Sequence, residues 1–237
     1  MLPAHSFPMP SIRPEIRLRA ECGADVPARE ALLDAAMGKA RKRKSSEAIR
    51  RGRMPADGLS LIAEDEAGRV VGTVRLWHVD AGGRRALLLG PLAVQPGLDG
   101  MGIGSMLMRR AIAEASFRGH GVILLVGDAS YYERFGFSAL ATGRLAMPGP
   151  YERHRLLALE LAPGALQDAD GVICGTGRRL IADRRAAYAA IRHWRRSAPP
   201  VPTAHAAASA TRPPRRLVPA ERRECAHALS MPPVPAL

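Results

Sequence analysis

The fold is decided by one stretch, Val94-Gln95-Pro96-Gly97-Leu98-Asp99-Gly100-Met101-Gly102-Ile103-Gly104-Ser105, which joins an apolar run to an amphipathic segment. Residues 86–94 before it are nearly all apolar, which predicts a central strand buried on both faces. After it, apolar side chains recur every four residues and predict a helix over residues 103–118. A buried strand, a Gly-rich turn and a helix in this order indicate an α/β protein.

The Gly-rich turn has the chemistry of an anion-binding loop. A helix N-terminus offers free backbone N–H groups and the positive end of the helix dipole, and glycines let an anion approach the main chain. The stretch lacks the Gly-Lys-Ser/Thr of a P-loop, and its G-x-G-x-G spacing differs from the dinucleotide-binding G-x-G-x-x-G. It therefore predicts a pyrophosphate cradle of another kind, with a simple flexible β–α turn as the alternative.

The central strand contains an anomaly at Gly90-Pro91. Proline has no N–H to donate to a neighbouring strand, so this pair inside a central strand implies a bulge or a splayed edge. We therefore expect the strand to separate from a neighbour at this point.

The remaining pattern places other elements around this strand. It predicts a first strand near residues 16–20, helices starting after Asp25 and at Ser45, and a hairpin. Further strands are predicted over residues 59–64, 70–79, 122–126, 136 onward and 155–161. A short helical turn is predicted over residues 130–135. The order β-α-α-β-β-β-α-β-α-β-β describes one domain with a mixed sheet, which we assign to residues 16–166.

The charge is concentrated towards the end of the chain. The 237 residues carry 35 Lys and Arg against 22 Asp and Glu, a formal charge of +13, and residues 167–237 hold 12 Arg and five acidic residues. We interpret residues 1–15 as an N-terminal extension, residues 167–197 as a basic extension with a helix over 178–196, and the Pro- and Ala-rich residues 198–237 as a disordered tail. Aromatic residues make up only 4% of the chain, which argues against a nucleic-acid binder that stacks bases.

The cysteines and the apolar runs exclude several classes of protein. Cys22, Cys174 and Cys225 are far apart and lack metal-ligand spacing, which argues against a disulfide scaffold or a metal site. No run of 18 apolar residues and no signal-peptide pattern occurs. We therefore expect a cytoplasmic protein with no membrane segment and no metal.

A second motif lies after the predicted strand 122–126, where the sequence reads Gly127-Asp128-Ala129-Ser130-Tyr131-Tyr132-Glu133-Arg134-Phe135-Gly136-Phe137. Here the chain resembles the GNAT superfamily of acetyl-CoA-dependent N-acetyltransferases over about residues 16–162. The family's Q/R-x-x-G-x-G/A loop corresponds to Asp99, Gly102 and Gly104. Its Y-x-x-x-G-F segment corresponds to Tyr132, Gly136 and Phe137. Asp99 departs from the family's Gln or Arg, which removes a donor near the phosphates.

The resemblance implies the fold and the cofactor site. The fold would be a GNAT-like mixed, mostly antiparallel central sheet with a splayed central strand and flanking helices, and the pantetheine arm of acetyl-CoA would fill the gap. The backbone of the strand end and of the loop would bind this co-substrate through Leu92, Ala93, Val94, Asp99, Gly100, Met101, Gly102, Ile103, Gly104 and Ser105.

The resemblance also implies a reaction, the direct transfer of an acetyl group to a primary amine of a small molecule or peptide. Tyr132 would be the acid for the leaving thiolate, and its alternative role is an aromatic core contact. No general base is evident: Glu64, His78 and Asp80 are the candidates, and Asp128 is better explained as a helix N-cap. A non-catalytic acyl-CoA-binding regulatory module is the alternative function. The sequence leaves a homodimer open.

Overall fold

The computed structural model describes residues 15–180, and these residues contain eight strands and four α-helices. The strands are β1 (Arg17–Ala20), β2 (Ser60–Glu64), β3 (Val70–Ala81), β4 (Arg84–Val94), β5 (Val122–Val126), β6 (Leu145–Ala146), β7 (Leu156–Glu160) and β8 (Gly171–Gly175). The helices are α1 (Val26–Met37), α2 (Ser45–Arg50), α3 (Ile103–Phe117) and α4 (Ala129–Tyr132). The helix expected over 178–196, apart from its first three residues, the tail 198–237 and the extension 1–15, apart from residue 15, lie outside the described residues.

The strands form the mixed, mostly antiparallel sheet that the sequence predicts. Its main order is β1-β2-β3-β4-β5-β7, and within this order only β4 and β5 run parallel. Strand β8 pairs with the end of β3, antiparallel, and with β6, parallel. The sheet thus extends beyond residue 166, where we expected the domain to end.

Strand β4 is buried on both faces, as its apolar sequence predicts. Leu87 and Leu88 are both fully buried, but they belong to different cores because successive side chains of a strand point to opposite faces. Leu87 packs in the core that α3 covers through Leu107. Leu88 packs in a second core with Ile49 of α2 and Trp77 of β3. Helix α1 packs against β3 and β4.

The strand predicted from Gly136 does not form. Residues Glu133–Phe135 make a 3-10 turn that ends at Gly136, and the following chain makes a single β-bridge between Ser138 and Ala158. The prediction was wrong because the apolar Phe137 signals burial, which it has, rather than an extended ladder. A turn followed by one buried aromatic residue gives the same local pattern as a short strand.

Candidate active site

Strand β4 opens along its second half. It pairs with β5 only at Leu87↔Ile123 and Leu88↔Leu124, and the register between β3 and β4 shifts opposite Gly90 and Pro91. The carbonyl oxygen of Gly90 accepts a hydrogen bond from Trp77 Nε1 at 2.6 Å. Within the described residues the edge of β4 beyond Pro91 therefore faces no strand on the β5 side, which confirms that the strand opens at this pair.

The Gly-rich loop connects the open end of β4 to α3. Gly102 precedes the helix with a φ of 83°, a left-handed conformation that glycine adopts without strain. The first backbone donor of the helix is Met106, whose N–H bonds the oxygen of Gly102. In residues 15–180 the N–H groups of Ile103, Gly104 and Ser105 have no backbone acceptor, as expected of a helix N-terminus. The loop thus presents several free donors at the positive end of α3.

A cavity of about 330 Å³ lies over these donors, and we call it the loop cavity. It is lined by Val94, by the loop residues from Leu98 to Ser105 except Met101, and by two side chains from the segment after β5, Tyr131 and Arg134. Within the loop, the carboxylate of Asp99 accepts a 3.4 Å hydrogen bond from the N–H of Gly97. Most of the predicted cofactor-binding residues therefore border one cavity, and the strand residues Leu92 and Ala93 lead into it.

The sequence did not predict Leu98, Tyr131 and Arg134 as residues of this cavity, and the last two come from outside the Gly-rich stretch. The Tyr131 hydroxyl lies 2.8 Å from the position that a Cβ on Gly104 would take, and the Arg134 guanidinium lies 4.1 Å from the centre of the Tyr131 ring. Arg134 also lies 5.0 Å from the Phe135 ring. This stacking holds an exposed cation beside the loop. The pair of adjacent tyrosines with an arginine three residues further on was the only available signal.

Tyr132 lies at the carboxyl end of β5, where β4 and β5 have separated. Its ring packs so closely on Gly127 that a Cβ on this glycine would lie 2.2 Å from the ring. The centres of the Tyr132 and Phe137 rings are 6.0 Å apart. Burial raises the pKa of Tyr132 to about 12. Asp128 caps this turn by accepting a hydrogen bond from the Ser130 N–H, which confirms the predicted N-cap. Tyr132 is therefore a protonated, half-buried phenol after the carboxyl end of β5, and it does not line the loop cavity.

The three predicted base candidates have other partners. Glu64 accepts a 2.6 Å hydrogen bond from Arg19, and Asp80 accepts one of 3.0 Å from the N–H of Gly83 in the hairpin turn. His78 lies against His120, with 5.5 Å between ring centres. Burial and the neighbouring His78 lower the pKa of His120, which disfavours a cation at this end of α3. None of these residues lines the loop cavity.

A second cavity, of about 590 Å³, lies on the other side of the opening. We call it the arginine cavity; its walls come from the chain after β1, from α1, α2 and β3, and from Pro91 of β4. Pro91 and Val94 are three residues apart on β4, a distance of about 10 Å along a strand. The two cavities thus meet the same open half of β4.

Glu21 is the most buried carboxylate of the arginine cavity. Its side chain is 4% exposed and accepts hydrogen bonds from Arg29 at 2.6 Å and from Arg75 at 2.7 Å. Burial raises the pKa of Glu21 to about 7, and Arg29 opposes this rise. With both oxygens bound by guanidinium groups, Glu21 anchors the cavity wall.

Comparison with known proteins gives a consistent assignment. Residues 56–139 match the family model of the acetyltransferase (GNAT) domain. The chain is 29% identical over 161 residues to the uncharacterized N-acetyltransferase YhbS of Escherichia coli strain K12, covering 66% of this chain and 93% of YhbS. It is 36% identical over 104 residues to the uncharacterized N-acetyltransferase YjhQ of the same strain, covering 41% of this chain and 56% of YjhQ.

Solved structures show the same fold. The E. coli YhbS structure in complex with CoA has a TM-score of 0.59 and 27% identity, covering 72% of this chain and 93% of that one. A GNAT family acetyltransferase from Brucella melitensis in complex with acetyl-CoA has a TM-score of 0.52 and 26% identity, covering 68% of this chain and 96% of that one.

Residues 56–139 thus match a GNAT acetyltransferase domain, and the relatives and the shared fold support a GNAT superfamily acetyltransferase. Within residues 15–180 no helix is long and apolar enough to cross a bilayer. That part of the chain also holds no group of three or more His, Cys, Asp or Glu arranged to bind a metal.

Proposed function

We propose that this acetyltransferase moves the acetyl group of acetyl-CoA to a primary amine, which attacks the thioester directly. The observation that carries the proposal is the open half of β4, which borders the loop cavity at Val94 and the arginine cavity at Pro91. One cavity suits the co-substrate and the other the acceptor, a small-molecule or peptide amine. The E. coli and Brucella structures support this co-substrate, since they contain CoA and acetyl-CoA.

The loop cavity fits the phosphates of acetyl-CoA. Free N–H groups at the start of α3 suit pyrophosphate oxygens, and the helix dipole adds to the attraction. The carboxylate of Asp99 adds a negative charge, which Arg134 across the cavity offsets. In this proposal the loop from Asp99 to Ser105 binds the phosphates, and the backbone of Leu92, Ala93 and Val94 binds the pantetheine arm.

In the reaction, the nitrogen lone pair attacks the thioester carbonyl carbon, so that a C–N bond forms and the C–S bond breaks. The amine loses one proton and the sulfur gains one. Backbone N–H groups of β4 near Leu92 polarise the carbonyl oxygen as it becomes negative. Tyr132 is the hydrogen-bond donor to the leaving sulfur, because a phenol with a pKa of about 12 is fully protonated at neutral pH. A thiol has a pKa of about 8.5, so Tyr132 acts mainly by donating a hydrogen bond to the departing sulfur.

The amine must be neutral when it attacks, and its proton leaves through water in this proposal. Glu64, His78 and Asp80 have structural partners away from the two cavities. Glu21 lines the arginine cavity, but two arginines occupy its oxygens. We therefore assign no side chain as general base. The proposed catalytic domain includes β8 and runs from residue 16 to about residue 175.

The test uses the full chain with acetyl-CoA and a panel of amines, and it follows release of the CoA thiol. Calorimetric titration with CoA gives the matching binding measurement. We expect CoA to bind and at least one amine to become acetylated. Absence of CoA binding at millimolar concentration would overturn the proposal, and binding without turnover on any amine or peptide would favour the regulatory module.

A further inference from the structure

The arginine cavity has more positive charge than its own carboxylates balance. Six arginines and Lys42 line it, against three glutamates. The arginines are Arg29, Arg41, Arg50, Arg51, Arg53 and Arg75. A concave surface with one sign of charge in excess concentrates solutes of the opposite sign. The cavity therefore favours an anionic ligand over a neutral or cationic one.

Several of these charges are already used within the protein. Glu21 accepts hydrogen bonds from Arg29 and Arg75. Glu30 accepts hydrogen bonds from Arg29 and Arg41. These ion pairs build the wall of the cavity and fix its guanidinium groups, so they add little net attraction for a ligand.

Arg50 differs because it is buried with an incomplete set of partners. Its side chain is 8% exposed, and its Nη2 atom lies 3.1 Å from a carboxylate oxygen of Glu47. Its Nε atom has no hydrogen-bond partner among the described residues. Arg29 shares the unpartnered Nε, but carboxylates hold both of its other nitrogens. The enclosed Nε is out of a ligand's reach, whereas Nη1, which makes no hydrogen bond or ion pair among residues 15–180, can donate to a ligand in the cavity.

The Nη1 atom of Arg50 lies close to the open half of β4. It lies 3.1 Å from the position that a Cβ on Gly90 would take. The next residue, Pro91, lines the same cavity at the point where β4 has separated from β5. An anion held by Arg50 therefore lies beside the opening through which an acceptor would reach the thioester.

We propose that the acceptor is an amine that also carries a carboxylate or a phosphate monoester, and that Arg50 binds this anionic group. This inference rests on the proposed function, because the amine must reach the same opening of β4. The Nη1 of Arg50 can donate to an oxygen of either anion, and an arginine stays charged at any working pH. Polyamines and other purely cationic acceptors are disfavoured by the same excess charge.

The test compares matched amines with and without the anion, on the full chain. The pairs are O-phosphoethanolamine against ethanolamine, and β-alanine against β-alaninamide. Acetyl transfer gives kcat/KM for each, and calorimetry with CoA present gives binding that does not depend on turnover. The variants are Arg50→Gln and Arg50→Lys, with Arg153→Gln as control, because Arg153 is exposed and lies outside the cavity. Thermal unfolding verifies that each variant folds.

We expect the wild type to prefer at least one anionic amine by about tenfold or more over its neutral partner, the effect of one hydrogen bond to a charged group. Arg50→Gln should remove the preference, Arg50→Lys should restore part of it, and Arg153→Gln should keep it. A preference for O-phosphoethanolamine indicates a phosphate ligand, and a preference for β-alanine indicates a carboxylate ligand. Equal use of neutral amines overturns this inference and leaves the proposed function intact. Binding of the anionic amines without transfer supports the cavity assignment and contradicts the proposed function, and failure of both binding and preference overturns the inference.

Discussion

The hydroxyl oxygen of Tyr131 lies 2.8 Å from the position that a Cβ atom on Gly104 would occupy. Tyr131 belongs to α4 and Gly104 to the first turn of α3, so the missing side chain lets the two helices approach closely at the free donors of α3. The Tyr131 ring in turn carries the guanidinium of Arg134. Gly104 thus sets the position of both side chains beside the proposed phosphate site.

Gly104→Ala should weaken CoA binding by about 10- to 100-fold, the effect of losing one hydrogen bond to a charged group. The added methyl group must displace Tyr131, and Arg134 moves with it. Calorimetric titration with CoA measures the change. Gly143→Ala is the control, since a Cβ at Gly143 meets no atom within 4 Å. Equal CoA affinity in the two variants would contradict this role of Gly104.

The sequence predicted the parts of the fold whose signal is local. The apolar run 86–94, the Gly90-Pro91 pair and the turn into α3 each carry their information within a few residues, and the structure shows each of them. Strand β8 was missed because Gly171–Gly175 is short and pairs with β3, about 90 residues earlier in the chain. Such a pairing leaves no trace in local periodicity.

The side chains around the loop and the second cavity required the three-dimensional structure. Arg134 and Tyr131 meet the loop only because α4 folds back on the start of α3. Arg50 meets Gly90 from an element 40 residues earlier. Glu64, by contrast, looked available as a base in the sequence, and the structure pairs it with Arg19.

Arg134→Gln should raise the Kd for CoA by about tenfold, because it removes the exposed cation of the loop cavity and leaves Asp99 without an offsetting charge. The loss should shrink as salt increases, since screening weakens an exposed charge. Arg17→Gln is the control, because Arg17 is exposed on β1 away from the cavity. Unchanged affinity at low salt would show that the backbone alone binds the phosphates.

Tyr132→Phe should lower kcat by about 10²-fold or more while CoA affinity changes little, because it removes only the donor to the leaving sulfur. Single-turnover acetylation separates this step from product release. Tyr151→Phe is the matched control, because the Tyr151 hydroxyl already donates a hydrogen bond, to the carbonyl of Leu145 at 3.3 Å. A variant with full kcat would assign Tyr132 to core packing.

The alkaline side of the pH profile tests the same residue independently. An ordinary tyrosine ionises near a pKa of about 10, whereas burial raises the pKa of Tyr132 to about 12. The active form is the protonated phenol, so kcat should not fall between about pH 8 and 10 as an ordinary tyrosine would require. Spontaneous thioester hydrolysis, measured without enzyme, is subtracted. A fall of kcat with an apparent pKa near 10 in the wild type, absent from Tyr132→Phe, would contradict the raised pKa of Tyr132.

Asp25→Asn should reduce the free energy of unfolding by about 1–3 kcal/mol near neutral pH, the range for hydrogen bonds to charged groups. Arg19 donates to the two Asp25 oxygens at 2.6 and 2.8 Å, and this contact lowers the pKa of Asp25 to about 2. In the unfolded chain the pKa is about 3.9, so the stabilisation is complete above that pH and is lost as the pH falls towards 2. Denaturant unfolding from pH 2 to 7 should therefore show a smaller loss of stability on acidification in Asp25→Asn than in the wild type.

Asp57→Asn, at a side chain that is 90% exposed, should follow the wild-type curve. Parallel curves for Asp25→Asn and the wild type would show that this ion pair does not contribute to stability.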